Sequence, residues 1–250
     1  MKKRMLTLTA LLALAASPAW SQTEESAFTL EAETGGLWFS SNRTQIPSDT
    51  GTRFDLDDLT GSGPDAYLRL SAHYRFNPKH SLRLTYAPIR SSGSGMLEQD
   101  VRFVDADFNA DAPSRGVYRF DTYRLTYRWT FHSSDTWDFG IGGSVLLRDA
   151  KIQLEQGTTV RTDDDTGVVP LLHLYGARHL SPNTSVVLDI EGAAAPQGRA
   201  IDASLTLRHT LPSGWHVFAG YRTLEGGADN NDVFTFAWMH FATVGLAVSF

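Results

Sequence analysis

The end of the chain decides its fold, because residues 234–250 read FTFAWMHFATVGLAVSF. Strongly apolar side chains occur at every second position of this stretch. One face carries Phe236, Trp238, His240, Ala242, Val244, Leu246, Val248 and Phe250. The opposite face carries Met239, Phe241, Thr243, Gly245, Ala247 and Ser249. Since successive side chains of a strand point to opposite sides, the pattern predicts a β-strand with one strongly apolar face.

The same alternation recurs along most of the chain. Residues 65–76 place Leu68 and Leu70 on one face and Arg69 and Ser71 on the other. No long segment has the 3.6-residue period of an amphipathic helix, so the predicted fold class is all-β. The pattern predicts ten strands, at residues 27–39, 65–76, 81–90, 117–131, 137–149, 167–180, 185–195, 200–211, 215–224 and 234–250.

The connections between these strands differ in length from one end to the other. Short, turn-forming connections lie at residues 77–80, 132–135, 181–184 and 212–214. The connections between them are mostly longer, at residues 40–64, 91–116, 150–166, 196–199 and 225–233. This asymmetry is typical of an up-and-down antiparallel transmembrane β-barrel, with about ten strands and with eight or twelve also compatible. Its first strand must then pair with its last, and both termini lie at the short-turn end.

Alternation alone is also compatible with a soluble lipocalin-like barrel, whose apolar face points inward. Aromatic side chains near the strand ends of the apolar face favour the membrane barrel, because such rings form girdles at the lipid boundary. They are Tyr74, Phe76, Tyr86, Tyr127, Trp129, Phe131, Trp137, Phe139, Trp215, Trp238 and Phe250.

The start of the chain is typical of a secretory signal peptide. Residues 1–21 read MKKRMLTLTALLALAASPAWS, which is a basic start, an uncharged apolar run and a break with small residues. The apolar run is too short to span a bilayer. We therefore expect residues 1–21 to be removed, which leaves residues 22–250 as one outer-membrane barrel domain.

The charge balance excludes several partners. Removal of the signal peptide takes away three of the 22 basic residues and none of the 28 acidic ones, so the mature chain has 19 basic residues and a net charge of −9. This charge argues against binding to nucleic acid. The chain has no Cys, which rules out a thiolate metal site. We expect no cofactor and no bound metal.

The tail Val244-Gly-Leu-Ala-Val-Ser-Phe250 resembles the terminal strand of Gram-negative outer-membrane β-barrel proteins. In that class the closing aromatic residue is part of the assembly signal, which assigns this role to Phe250. The resemblance implies a location in the outer membrane, contact with outer-membrane lipid and lipopolysaccharide, and a passing interaction with the barrel-assembly machinery. It identifies a class and no single family.

Long charged side chains lie on the polar face, which points into the lumen of such a barrel. Arginines come mainly from the second to fifth strands, and carboxylates come from the first, seventh and eighth strands. We expect these two arcs to form charge-assisted hydrogen bonds that plug the lumen, and the alternative is a narrow charge-lined pore. The predicted network contains Glu31, Glu33, Arg69, Arg75, Arg83, Arg124, Arg128, Arg148, Asp189, Glu191, Asp202, Arg208 and Arg222.

Three functions fit this sequence. The first is a structural or loop-mediated binding role without enzyme activity, and the second is a narrow, porin-like solute or ion channel. The third is a lipid-modifying hydrolase, for which His240 with a nearby Ser or Asp has the best placement. The acidic loops are predicted to be solvated, although divalent ions could bridge them to lipopolysaccharide phosphates. Val101 and Phe103 in the second long loop are predicted to be exposed and available to a ligand or partner.

Overall fold

The computed structural model describes residues 27–250. The predicted signal peptide at residues 1–21 lies outside the described residues, as do residues 22–26 of the predicted barrel domain. The elements follow one another as β1 (Phe28–Gln45), β2 (Phe54–Asp55), α1 (Asp57–Thr60), β3 (Asp65–Asn77), β4 (His80–Gly95), β5 (Val101–Phe103), β6 (Ala106–Phe108), β7 (Ser114–Ser133), β8 (Trp137–Gln156), β9 (Thr159–Ser181), β10 (Thr184–Ala195), β11 (Gly198–Thr210), β12 (Trp215–Asp229) and β13 (Phe234–Ser249).

Ten of these strands form one closed antiparallel barrel, while β2, β5 and β6 are short strands in the loops. Each barrel strand pairs with its neighbours in chain order, and β1 pairs with β13 from Thr29 opposite Ser249 to Gln45 opposite Phe234. The predicted fold class and the predicted pairing of the first strand with the last are confirmed. Closure satisfies the backbone groups that an open sheet edge would leave unpaired.

The apolar face of the alternation is on the outside of the barrel, as predicted. Leu70, Leu205 and Val244 are about half exposed, whereas the intervening Arg69 and Asp202 are buried inside. Along β13 the outward residues run from Trp238 to Val248, which covers about 34 Å of strand and about 26 Å along the axis at a tilt of about 40°. This height matches the apolar band of a membrane barrel.

The predicted long loop at residues 150–166 is wrong, because strands fill it, and the predicted moderate connection at residues 225–233 is shorter than expected. Residues 150–166 continue β8 and β9 up to a tight turn, where Gly157 has a φ of 58°. Residues 225–229 likewise belong to β12. The Asp and Gly residues of these segments favour loops locally. Cross-strand pairing, such as Asp163 opposite Ile152, nevertheless keeps them extended.

The first two long loops fold into the outer mouth of the barrel. Val101 is 1% exposed and Phe103 is 0% exposed, so the prediction that they lie open to ligands is wrong. They pack in an apolar cluster with loop residue Leu56 and with the inward side chains of Leu37 and Phe241. We call this set, with its other buried members, the mouth cluster. Among the described residues, no helix has the length and apolar character needed to cross a membrane.

Candidate functional site

A layer of paired charges lies inside the barrel, near the middle of the strands. It contains five arginines and five carboxylates, so its formal charge is zero. We call this set the charge layer. Its members are Glu31, Glu33, Arg69, Arg83, Arg124, Asp189, Glu191, Asp202, Arg208 and Arg222.

Asp202 on β11 is the centre of the layer. Its Oδ2 accepts hydrogen bonds from Arg69 Nη1 at 3.2 Å and Arg124 Nη1 at 2.9 Å. Its Oδ1 accepts one from Arg222 Nη1 at 2.6 Å. The three guanidinium groups come from β3, β7 and β12, so one carboxylate connects opposite walls of the barrel. Burial makes these bonds strong, because water cannot screen them.

Glu191 and Asp189 on β10 form the second centre. Arg83 donates to both carboxylates, with Nη1 at 2.8 Å from Asp189 Oδ2 and Nη2 at 3.0 Å from Glu191 Oε1. Arg124 also donates to Glu191 and so links the two centres. Ser144 Oγ donates to Glu191 Oε1 at 2.7 Å. The Glu191 side chain therefore has polar partners on β4, β7 and β8.

Strand β1 contributes the last two carboxylates of the charge layer, Glu33 and Glu31. Glu33 accepts hydrogen bonds from Arg222 Nε at 3.1 Å and Nη2 at 3.0 Å, and from the Tyr67 hydroxyl at 2.9 Å. Nearer the short-turn end, Arg208 Nη1 donates to Glu31 Oε2 at 2.6 Å.

Three arginines of the predicted network lie outside the charge layer. Arg148 pairs with Asp165 on the extended β8–β9 hairpin. The Arg128 guanidinium lies 4.0 Å from the centre of the Tyr175 ring, and Arg75 lines the cavity at the short-turn end. The strand pattern predicts which way each side chain points, but not its height in the lumen.

The charge layer separates two cavities. The cavity at the short-turn end has a volume of about 710 Å³ and polar walls that include Arg69, Arg83 and Asp189 from the layer itself. The cavity at the outer end has a volume of about 490 Å³ and lies beside the mouth cluster. We call it the outer pocket. Its walls are mainly apolar, with Tyr118, Phe120, Ile152, Val169, Pro170 and Ala193 among them.

Residues 168–170 and 193–195 line the outer pocket where the pairing of β9 with β10 has ended, and this unpaired stretch is a gap in the hydrogen-bonded sheet. These strands pair from Ser181 with Thr184 up to Leu172 with Gly192. Pro170 follows on β9 and has no N–H to donate, so it cannot continue the ladder. In the described part of the chain, β9 pairs only with β8 beyond this point. The strand pattern alone missed this gap, although a Pro inside a long alternating segment was a signal for it.

Among the described residues, the group that most resembles a metal site joins His173 to Asp189 and Glu191 of the charge layer. One ligand atom each from His173, Asp189 and Glu191 lies within 4.8 Å of the others. Arg83 already donates to both carboxylates, and His173 Nε2 lies 3.3 Å from Asp189 Oδ2. A cation would have to displace the guanidinium, so the group is better explained as part of the ion-pair network.

Two acidic clusters lie near the outer end, one at residues 163–165 of the extended β8–β9 hairpin and one that brings Asp58 and Glu98 together from two loops. Burial raises the pKa of Asp163, and the neighbouring Asp165 and Asp164 raise it further. Burial also raises the pKa of Asp58, with Glu98 adding to the effect. Both shifts have the same two causes, which are burial and the repulsion between neighbouring carboxylates.

Comparison with known proteins supports the fold alone. No protein-family model and no curated protein matches the chain. The outer membrane protease OmpT from Escherichia coli is similar in structure, with a TM-score of 0.55, 9% identity, and coverage of 92% of this chain and 99% of that one. The fold is that of an outer-membrane β-barrel.

Two further outer-membrane barrels match less well. The attachment invasion locus protein Ail of Yersinia pestis has a TM-score of 0.40 at 9% identity, over 90% of this chain and 99% of its own. Neisserial surface protein A has a TM-score of 0.39 at 15% identity, over 90% of this chain and 98% of its own. At 9% identity, the similarity to the protease shows the fold alone.

Proposed function

We propose that the mature chain is an integral outer-membrane barrel whose lumen is closed and whose role is binding in its outer half. The apolar belt of about 26 Å supports the location, because its height fits the hydrocarbon band around a membrane barrel. In that setting the belt contacts outer-membrane lipid, and the outer rim contacts lipopolysaccharide. The same location requires export by the signal peptide and insertion by the barrel-assembly machinery.

The observation that carries this proposal is the charge layer. Its arginines and carboxylates bond to one another and are largely buried, with Glu33, Arg124 and Glu191 at most 3% exposed. An ion that crossed the lumen would have to break several of these pairs at once. Each buried pair is costly to open, because the separated charges lose their partners in a medium that solvates them poorly.

The outer pocket is the binding site that we propose for this barrel. Its 490 Å³ volume lies in the range of small-molecule sites, and its apolar walls suit a hydrocarbon chain. The gap beside Pro170 lets an apolar ligand reach the pocket from the surrounding lipid rather than through water. A fatty acyl chain is therefore the ligand class that fits best.

Conductance distinguishes the closed barrel from the channel. The mature chain, refolded in detergent and shown to migrate differently when boiled and unboiled, is inserted into a planar lipid bilayer. We expect no discrete conductance steps from folded protein. Steps that change in size when Arg124 or Glu191 is neutralised would establish a charge-lined pore and refute the closed lumen.

Photolabelling tests the outer pocket separately. A diazirine-bearing fatty acid is incubated with the refolded barrel, and the labelled residues are mapped by mass spectrometry. We expect labelling around residues 168–170 and 193–195. Ala193→Trp, which fills the pocket from β10, should abolish it. Ala203→Trp, on the outward face of β11, is the matched control and should leave it unchanged. Labelling spread evenly over the belt would refute the pocket.

A further inference from the structure

A polar group interrupts the apolar belt on the outside of the barrel, where β1, β13 and β12 lie side by side. Ser40 Oγ is 3.0 Å from Nε2 of His240. The other ring nitrogen of His240, Nδ1, is hydrogen-bonded to the Tyr221 hydroxyl. Three adjacent strands thus place a hydroxyl, an imidazole and a phenol in a row on the exterior.

A β-bulge brings Ser40 into this position. The register between β1 and β13 shifts between Phe39 and Ser41, so Ser40 is the extra residue of the bulge. Phe39 and Asn42 on either side both point into the lumen and are buried. Bulges re-aim side chains in this way and are frequent beside active sites.

The two hydrogen bonds of His240 give it the arrangement of a general base. If Nδ1 donates its proton to the Tyr221 oxygen, Nε2 keeps its lone pair and accepts the proton of Ser40. A nucleophile, a base and a group that orients the base are the three parts of the Ser-His-Asp arrangement, with a neutral phenol here in place of the acid. The Trp38 ring lies beside the imidazole, with ring centres 6.1 Å apart and ring planes 28° apart.

The height of the group on the barrel indicates what it would meet. Trp238, next to His240 on the same face, is at the outer end of the apolar belt. Trp and Tyr side chains favour the headgroup level of a membrane. The ester bonds of membrane lipids lie directly beneath the headgroups, so an acyl ester would lie against Ser40.

We propose that Ser40 and His240 form a hydrolytic site for the carboxylic acyl esters of outer-leaflet lipids, with Tyr221 as a positioning residue. Ser40 Oγ attacks the ester carbonyl as His240 Nε2 takes its proton. The C–O bond to the lipid alcohol then breaks, and His240 returns the proton to the leaving oxygen. Water, deprotonated by His240, then attacks the acyl carbonyl; the bond to Ser40 Oγ breaks, His240 returns the proton to that oxygen, and the fatty acid is released. This activity goes beyond the binding role and does not use the outer pocket.

A fluorophosphonate probe and a lipid substrate test the site together. The refolded full-length mature barrel is treated with the probe, and the modified residue is identified by mass spectrometry. Fatty acid release is measured in mixed micelles, with dilauroylphosphatidylglycerol in one arm and purified lipid A in the other. We expect the probe on Ser40 and release in at least one arm, and the arm identifies the lipid.

The variants separate catalysis from folding. Ser40→Ala and His240→Asn should lower release by at least about a thousandfold, since both remove a part that acts in the chemical step. Ser41→Ala changes the adjacent serine and should retain labelling and release. Tyr221→Phe should lower the rate and shift its pH profile, because the imidazole loses the partner of Nδ1. All variants should keep the heat-dependent migration of a folded barrel.

Three results would overturn the proposal. The first is folded wild-type protein that neither takes up the probe nor releases fatty acid in either arm. The second is release that Ser40→Ala leaves unchanged, and the third is probe found on Ser41 instead of Ser40. In each case the row would be a girdle of interfacial side chains, which is a structural role for the same contacts.

Discussion

Neutralising Asp202 should destabilise the barrel more than any single change on its surface. Asp202→Asn keeps the size of the side chain and removes its charge, while Arg69, Arg124 and Arg222 stay in place. The Asp202 side chain is 4% exposed, so water cannot replace it as a partner for the guanidinium groups. Breaking a buried ion pair from one side costs about 3–5 kcal/mol.

Urea unfolding in detergent, followed by Trp fluorescence and by migration on unheated gels, measures this cost. With a slope of about 2 kcal/mol per M urea, a loss of 4 kcal/mol lowers the midpoint by about 2 M. The control is Asp107→Asn on the loop hairpin, where Arg102 and Asp107 are 46% and 73% exposed. Such an exposed pair contributes about 0–1 kcal/mol, so the midpoint should move by less than about 0.5 M.

A second variant separates charge from packing. In the charge layer, Arg69 bonds to Asp202 at 3.2 Å, so Asp202→Asn combined with Arg69→Met restores a formal charge of zero. This pair of changes should recover much of the stability that Asp202→Asn removes. Equal midpoints for wild type and Asp202→Asn would refute the reasoning, because they would mean that water enters the layer freely.

Three further changes test the apolar belt, the C-terminal Phe250 and the pairing of β1 with β13. Leu205→Arg places a charge on the outer face of β11 and should lower the stability of the barrel in the membrane by about 2–4 kcal/mol. The amount of assembled protein in the outer membrane should therefore fall below that of the control Leu205→Ala. Equal amounts would contradict the assignment of this face to the lipid. Phe250→Ala should reduce assembly in cells while leaving the unfolding midpoint of refolded protein nearly unchanged, because Phe250 is mostly exposed. A defect confined to refolded protein would instead assign the residue a structural role. Gly35→Ala should prevent refolding to the heat-modifiable form. Gly35 has a φ of 146°, and an added Cβ would lie 1.9 Å from the Ala242 carbonyl oxygen on β13. Normal refolding of this variant would show that β1 and β13 can shift apart there.

Strand type and facing were readable from the sequence because both depend on the nearest neighbours along the chain. A side chain at every second position lies on one face of a strand, so the alternation of residues 234–249 predicts which residues are outside. Turn-forming residues between alternating stretches then set the number of strands. Closure follows from the cost of an open edge in lipid, which makes the first strand pair with the last.

Loop structure was predicted less well, because distant contacts override local preference. Residues 159–166 contain three consecutive Asp, yet pairing with β8 keeps them extended. Val101 and Phe103 are in a loop by sequence, but they are buried because the mouth of the barrel offers apolar partners such as Leu37.

The contacts of the charge layer and of the proposed Ser40–His240 site were decided by the tertiary structure. The sequence by itself determined that Arg69 and Asp202 point into the lumen, whereas their meeting across 133 positions of chain depends on the circumference of the barrel and the stagger of its strands. The same holds for Ser40 and His240, which are 200 positions apart and meet only because a bulge in β1 turns the serine toward β13. Periodicity records direction along one strand, and only closure of the sheet sets which residues of different strands lie at the same height.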